Sequence, residues 1–158
     1  MPLENIVTDR LYLIPYTCEI IRQILLGDYT ALENLGLNID IDWPDEDVLE
    51  TLPRILANLS KVNNNPSGFE SWIIVQKQGN FVIGDIGFKG KPNGSGEIDL
   101  GYGLIKSARK KGFTNEAGNA LIKWAFMSDD VVAITANCHV DNIGSINVLR
   151  GLKFSLTS

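Results

Sequence analysis

The sequence is poor in the residues that usually announce a reaction. Its 158 residues include two cysteines and one histidine. Cys18 and Cys138 supply no disulfide framework and fit a reducing cytoplasm. His139 has no Cys, Asp or Glu at ligand spacing, so no metal is expected. Basic residues number fourteen against nineteen acidic ones, a formal net charge of −5. That balance argues against nucleic acid and anionic membranes as partners. No apolar run approaches the roughly 18 residues needed to span a bilayer. The opening MPLENIVTDR lacks the basic and apolar regions of a signal peptide. Neither G-x-x-x-x-G-K-[ST] nor G-x-G-x-x-G occurs, which removes a Walker loop and a dinucleotide fingerprint. The expectation is a soluble cytoplasmic protein.

What is present is ordinary for a globular protein: 44% apolar and 21% charged residues, in a length that suits one domain over 1–158. RLYLIPY reads as a strand ended by Pro15. Thr17 can cap a helix carrying Ile20, Ile21, Ile24 and Leu25, stopped by Gly27. NLGLNIDIDWPDED reads as a turn-rich connection. A helix from Pro44 runs through Leu49, Leu52, Ile55, Leu56 and Leu59, with Pro53 expected to perturb or divide it. Beyond the loop KVNNNPSG come two strands, SWIIVQK and FVIGDIGFKG, joined by the hairpin signal QGN. EIDLGYGLI follows as a strand, then the helix TNEAGNALIKWAF, the buried-looking strand VVAITANCHV, a helix over NIGSINVLRGL and a short strand KFSLTS. The order β-α-α-β-β-β-α-β-α-β predicts a mixed α/β domain around a largely antiparallel sheet.

Lys106, Arg109, Lys110 and Lys111 place four of the fourteen basic residues within six positions, directly before Gly112 and a helix. A helix start leaves backbone N–H groups unpaired and carries partial positive charge. A glycine lets an anion approach that backbone closely. Strand, basic residues, glycine and helix therefore describe a pyrophosphate cradle.

Arg109-Lys110-Lys111-Gly112-Phe113-Thr114 resembles the Q/R-x-x-G-x-G/A loop of the GNAT superfamily of N-acetyltransferases. EIDLGYGL resembles that family's fourth strand, and CHVDNIGSINVLRGLKF its segment built around N-x-x-S. TDRLYLIPYT and LNIDIDWP are similar to the branch that acetylates ribosomal-protein N-terminal alanine and serine. The resemblance covers nearly the whole chain and implies a GNAT-like fold with helices flanking the sheet. Thr114 stands where Gly or Ala is usual, and Lys153 where a glycine is usual. The chain reaches Ser158 where the family continues with a further strand, so the expected sheet lacks its last C-terminal strand, and a homodimer is one way to complete it.

The resemblance implies an acetyl-coenzyme A-dependent transfer to a primary amine, a peptide N-terminus or a small amine, by direct attack in a ternary complex. The alternative is a non-catalytic acyl-coenzyme A-binding module of the same fold. Phosphates would lie on Arg109, Lys110, Lys111, Gly112, Phe113 and Thr114. Tyr102, Gly103 and Leu104 would pair with the pantetheine arm, and Asn142 would hold its amide. Strand alternation places Glu97, Asp99, Gly101 and Gly103 on one face. Asp99 matches the family's glutamate position and is the expected base, with Glu97 as the other candidate. Ser145 would protonate the departing thiolate, and Trp43, among Asp40, Asp42 and Asp45, is the candidate acceptor-site residue. Cys138 and His139, adjacent on a strand, point to opposite faces and form no nucleophilic dyad.

Overall fold

In the computed structural model, which describes residues 3–157, one sheet gathers seven strands. These are β1 (Ile6–Val7), β2 (Leu11–Pro15), β3 (Asn38–Ile39), β4 (Ser71–Gln76), β5 (Phe81–Phe88), β6 (Glu97–Leu104) and β7 (Ala133–Ala136). The helices are α1 (Cys18–Leu25), α2 (Thr30–Asn34), α3 (Glu46–Ser60), α4 (Phe113–Ala125) and α5 (Ile143–Gly151). The strand order is β1-β2-β4-β5-β6-β7, with β3 lying beside the first residues of β5. The β3–β5 and β6–β7 pairs are parallel and the rest antiparallel, so the sheet is largely antiparallel, as expected.

Helix ends follow local chemistry. The Thr17 side chain accepts from the Ile20 N–H at 3.2 Å and opens α1. Asp45 accepts from the Val48 N–H at 2.9 Å and opens α3. Pro53 does not divide α3, contrary to expectation: the helix runs unbroken through it, with the ring on the exposed side. A proline inside a helix costs about 3 kcal/mol. Burial of Val48, Leu52, Ile55 and Leu59, worth about 1.5–3 kcal/mol for each side chain, outweighs it.

Paired residues on neighbouring strands share a face, so the register assigns the layers. Trp72, Ile86 and Tyr102 lie in one row across β4, β5 and β6. Trp124 of α4 packs against Trp72 at 5.6 Å between ring centroids, placing α4 on that face. Ile73, Asp85 and Gly103 form the adjacent row, facing the other way, toward α3. At Gly84 a Cβ would stand 2.1 Å from the Gly103 carbonyl oxygen of β6, so the position takes only glycine.

Two further expectations are corrected. The strand expected over VVAITANCHV contracts to Ala133–Ala136, and 137–144 are exposed and outside the sheet. KFSLTS is not a strand. The Phe154 N–H bonds the Leu149 carbonyl and the Lys153 N–H that of Arg150, both at 2.9 Å, with Lys153 at φ 67°. That is a Schellman stop with lysine in the left-handed position that glycine usually fills, so it closes α5 and sends the chain away from the sheet.

Candidate active site

β6 and β7 pair only from Glu97 with Ala133 to Leu100 with Ala136. Past Leu100 the two strands separate, and the backbone of Gly101–Leu104 has no strand neighbour on that side. A cleft of about 840 Å³ opens there. Its walls come from α3, the ends of β5 and β6, the start of α4 and the start of α5. A second hollow of about 640 Å³ lies away from it, at the β5–β6 turn around Pro92–Gly96.

At one end of the cleft Gly112 adopts φ 80° and no side chain caps α4. The N–H groups of its first turn are thus left for an external acceptor. Arg109 and Lys110 line the cleft beside it, as does Thr114. Arg109 Nε donates to the Leu104 carbonyl at 3.0 Å, fastening the loop to the end of β6. Lys106 and Lys111 do not line the cleft, and the Phe113 side chain is buried in the core.

The loop has a brace that sequence reading did not single out. Arg10 Nη1 donates to the Lys111 carbonyl at 2.9 Å, and its guanidinium lies 4.4 Å from the centroid of the Phe113 ring. Arg10 Nε also pairs with Glu116 at 2.7 Å, and Thr8 Oγ1 donates to the same carboxylate at 2.5 Å. Burial would raise the Glu116 pKa, but the hydrogen bonds from Thr8 and Arg10, with the Arg10 charge, hold it below its usual value. The signal was present in TDRL, an arginine set between a turn and a strand.

On the α5 wall, Tyr102 Oη and Ser145 Oγ are 2.7 Å apart. Tyr102, expected to offer only its backbone, brings its hydroxyl to Ser145; burial raises its pKa and the Ser145 hydrogen bond offsets part of that. Asn142 caps α5, its Oδ1 accepting from the Ser145 N–H at 3.0 Å, and it also faces the cleft. Gly103 and Leu104 belong to the unpaired stretch.

The two β6 carboxylates lie elsewhere. Asp99 accepts from Lys89 in an ion pair and from Thr135 Oγ1 at 2.8 Å, and is not in the cleft wall. Glu97 is exposed at the far end of β6. The cleft instead contains Asp85 of β5, half-buried, with Tyr16 Oη 3.5 Å from its Oδ2. Burial drives the Asp85 pKa up to about 7; the Tyr16 hydroxyl and Arg54 work against that rise and Asp45 adds to it. Asp85 was missed because FVIGDIGF reads as a core strand, although a carboxylate inside an apolar run was itself a signal. Trp43 is 3% exposed, packed 6.2 Å from Tyr29 and outside the cleft wall.

Among the described residues no group of three or more His, Cys, Asp or Glu side chains could hold a metal ion, and no helix is long and apolar enough to cross a membrane. Cys18 is buried, its thiol donating to Asn64 at 2.8 Å, and Cys138 is exposed.

The family model for the acetyltransferase (GNAT) domain matches residues 20–155. The uncharacterized N-acetyltransferase YjdG of Bacillus subtilis strain 168 is 38% identical over 149 residues, 94% of this chain and 88% of that protein. Among solved structures, RimL, a ribosomal-protein alpha-N-acetyltransferase in complex with coenzyme A, superposes with a TM-score of 0.68 at 21% identity, over 98% of this chain and 86% of that one. The microcin self-immunity acetyltransferase MccE, in complex with acetyl-CoA and AMP, gives 0.65 at 17% identity over 96% and 82%.

Proposed function

Because this chain belongs to the acetyltransferase (GNAT) family and is an N-acetyltransferase, we propose that it moves an acetyl group from acetyl-coenzyme A to a primary amine, a peptide N-terminus or a small amine. The observation that carries this reading is the convergence, in one cleft, of the uncapped α4 start, the unpaired backbone of Gly101–Leu104 and the Tyr102–Ser145 hydroxyl pair.

The residues fit the coenzyme by their chemistry. Unsatisfied N–H groups at a helix start bind phosphate, and Gly112 at φ 80° leaves the approach free of a Cβ. Arg109 and Lys110 add charge, with Lys111 and Lys106 contributing at longer range. The backbone of Tyr102, Gly103 and Leu104 offers ladder partners to an extended polyamide arm, and the Asn142 side chain a further polar contact. The bound coenzyme supplies a thioester whose acyl carbon is open to an amine. The protein holds the two reactants together, and the Tyr102–Ser145 pair hands a proton to the sulfur as it leaves. Asp99 is committed to Lys89 and Thr135, so the proton acceptor is sought within the cleft.

Calorimetric titration with acetyl-coenzyme A tests the reading. Wild type is expected to bind in the micromolar range, and Gly112→Asp to lose binding while remaining folded, because it puts a strained side chain and a negative charge at the helix start. Release of free thiol on addition of a peptide with an N-terminal serine then reports transfer. A folded wild type that does not bind overturns the proposal.

A further inference from the structure

Resting on that reading, we infer that Asp85 is the catalytic residue that takes the proton from the acceptor ammonium, and that Tyr16 positions it.

The geometry carries this. Asp85 stands opposite Gly103 of β6 and Ile73 of β4, so the neighbouring rung toward the unpaired edge has no side chain to shield it. Gly101 and Gly103 would both meet open space where a Cβ would be. Between Asp85 and the place where β6 and β7 part, Gly103 and Gly101 put no side chain on that face of β6. Asp99 shares this face but lies four residues before Gly103 on β6, about 13 Å away along the strand. Glu97 is two residues farther. Of the three carboxylates on that face, only Asp85 lines the cleft.

The surroundings keep Asp85 neutral-prone without locking it. From the residue just after β2 it faces the Tyr16 hydroxyl, and from α3 the Asp45 cap and Arg54. Ile73 and Gly103, its partners on β4 and β6, bring no charge. Asp47 and Lys89 also line the cleft. Among the described residues no salt bridge claims Asp85, whereas Asp99 is ion-paired. A carboxylate poised near neutrality is what proton removal from an ammonium at neutral pH requires.

The step balances. The ammonium gives one proton to the Asp85 carboxylate, directly or through a water. The nitrogen lone pair forms the N–C bond with the acyl carbon, and the C–S bond breaks. The second proton nitrogen loses is matched by the one the sulfur receives through Tyr102–Ser145, and Asp85 returns its own to solvent.

The experiment compares wild type, Asp85→Asn and Tyr16→Phe. Carbon-13 carboxyl NMR on the ligand-free, aspartate-labelled protein should show one aspartate titrating near pH 7 that disappears in Asp85→Asn. Asp85→Asn should bind acetyl-coenzyme A within about threefold of wild type but transfer to the serine peptide about 100-fold more slowly. In Tyr16→Phe the acid limb of kcat/KM should move to higher pH with its plateau retained, since the hydroxyl favours the ionised carboxylate. This variant decides the matter if Asp85→Asn does not fold. Transfer by Asp85→Asn within threefold of wild type, no aspartate titrating above pH 6, or an unmoved limb in Tyr16→Phe each overturns the inference. Loss of coenzyme binding by wild type overturns the functional reading and this inference together; it is recognised separately because the NMR titration needs no ligand.

Discussion

Arg10 holds the Lys111 carbonyl at 2.9 Å, a contact between residues 101 positions apart that ties the start of β2 to the loop before Gly112. The same side chain covers Phe113 and pairs with Glu116. One residue thus fixes the loop before Gly112 and the first turn of the helix after it.

Arg10→Ala is expected to weaken acetyl-coenzyme A binding about tenfold, near 1.4 kcal/mol, with kcat at saturation little changed. Arg10→Lys should not restore affinity, because a lysine cannot bond a carbonyl and a carboxylate while stacking on the ring. Calorimetry on the two variants checks this; affinity equal to wild type in Arg10→Ala would make the brace irrelevant to the cofactor.

Ser145→Ala and Tyr102→Phe each remove one hydroxyl of a pair 2.7 Å apart. Each is expected to lower kcat about 10- to 100-fold with binding within a few-fold. Groups that act as a unit are not additive, so the double variant should be little slower than the slower single. A product of the two losses would show independent roles.

Asp85 also makes stability depend on pH. Its folded pKa of about 7 lies above the ordinary carboxyl value of 3.8. Between those values the folded state keeps a proton that the unfolded chain has released, so stability falls as pH rises through the interval and levels off above about 7. Asp85→Asn has no such term. Its melting temperature relative to wild type should therefore rise between pH 5 and pH 8. A signed difference (Asp85→Asn minus wild type) that stays constant would place the carboxylate in ordinary solvent, and one that falls would mean its pKa is lowered on folding.

Much of the fold was legible because caps and burial agreed. Thr17 and Asp45 open α1 and α3 with the bonds their types favour, and the apolar spacing in each names the buried face. The helix after Gly112 was legible from its apolar spacing, since no side chain caps it among the described residues. The elements that escaped, β1, β3 and α2, are two to five residues long, too short for any period to show. Pro53 misled because a local rule met a larger burial term. KFSLTS misled because the backbone bonds that close α5 put Lys153 in a left-handed conformation, which apolar alternation does not reveal. In the site, alternation along β6 correctly grouped Asp99 with Gly101 and Gly103, but spacing along one strand says nothing about which residue of the next strand stands opposite. That register put Asp85 in the cleft and Asp99 beside Lys89. Trp43 likewise has acidic neighbours in sequence and the core in space.

The parting of β6 from β7 after Leu100 leaves the main-chain N–H and C=O groups of Gly101–Leu104 without a strand partner on that side. Recognition written in peptide N–H and C=O groups has no letter in the sequence. Although at Tyr102 it also removes the hydroxyl that meets Ser145, an alanine scan across Gly101–Leu104 leaves those main-chain groups in place. The substitutions that would erase it are those that alter the path of the chain itself, such as a proline that deletes a donor or a Cβ at Gly84 that pushes β5 and β6 apart.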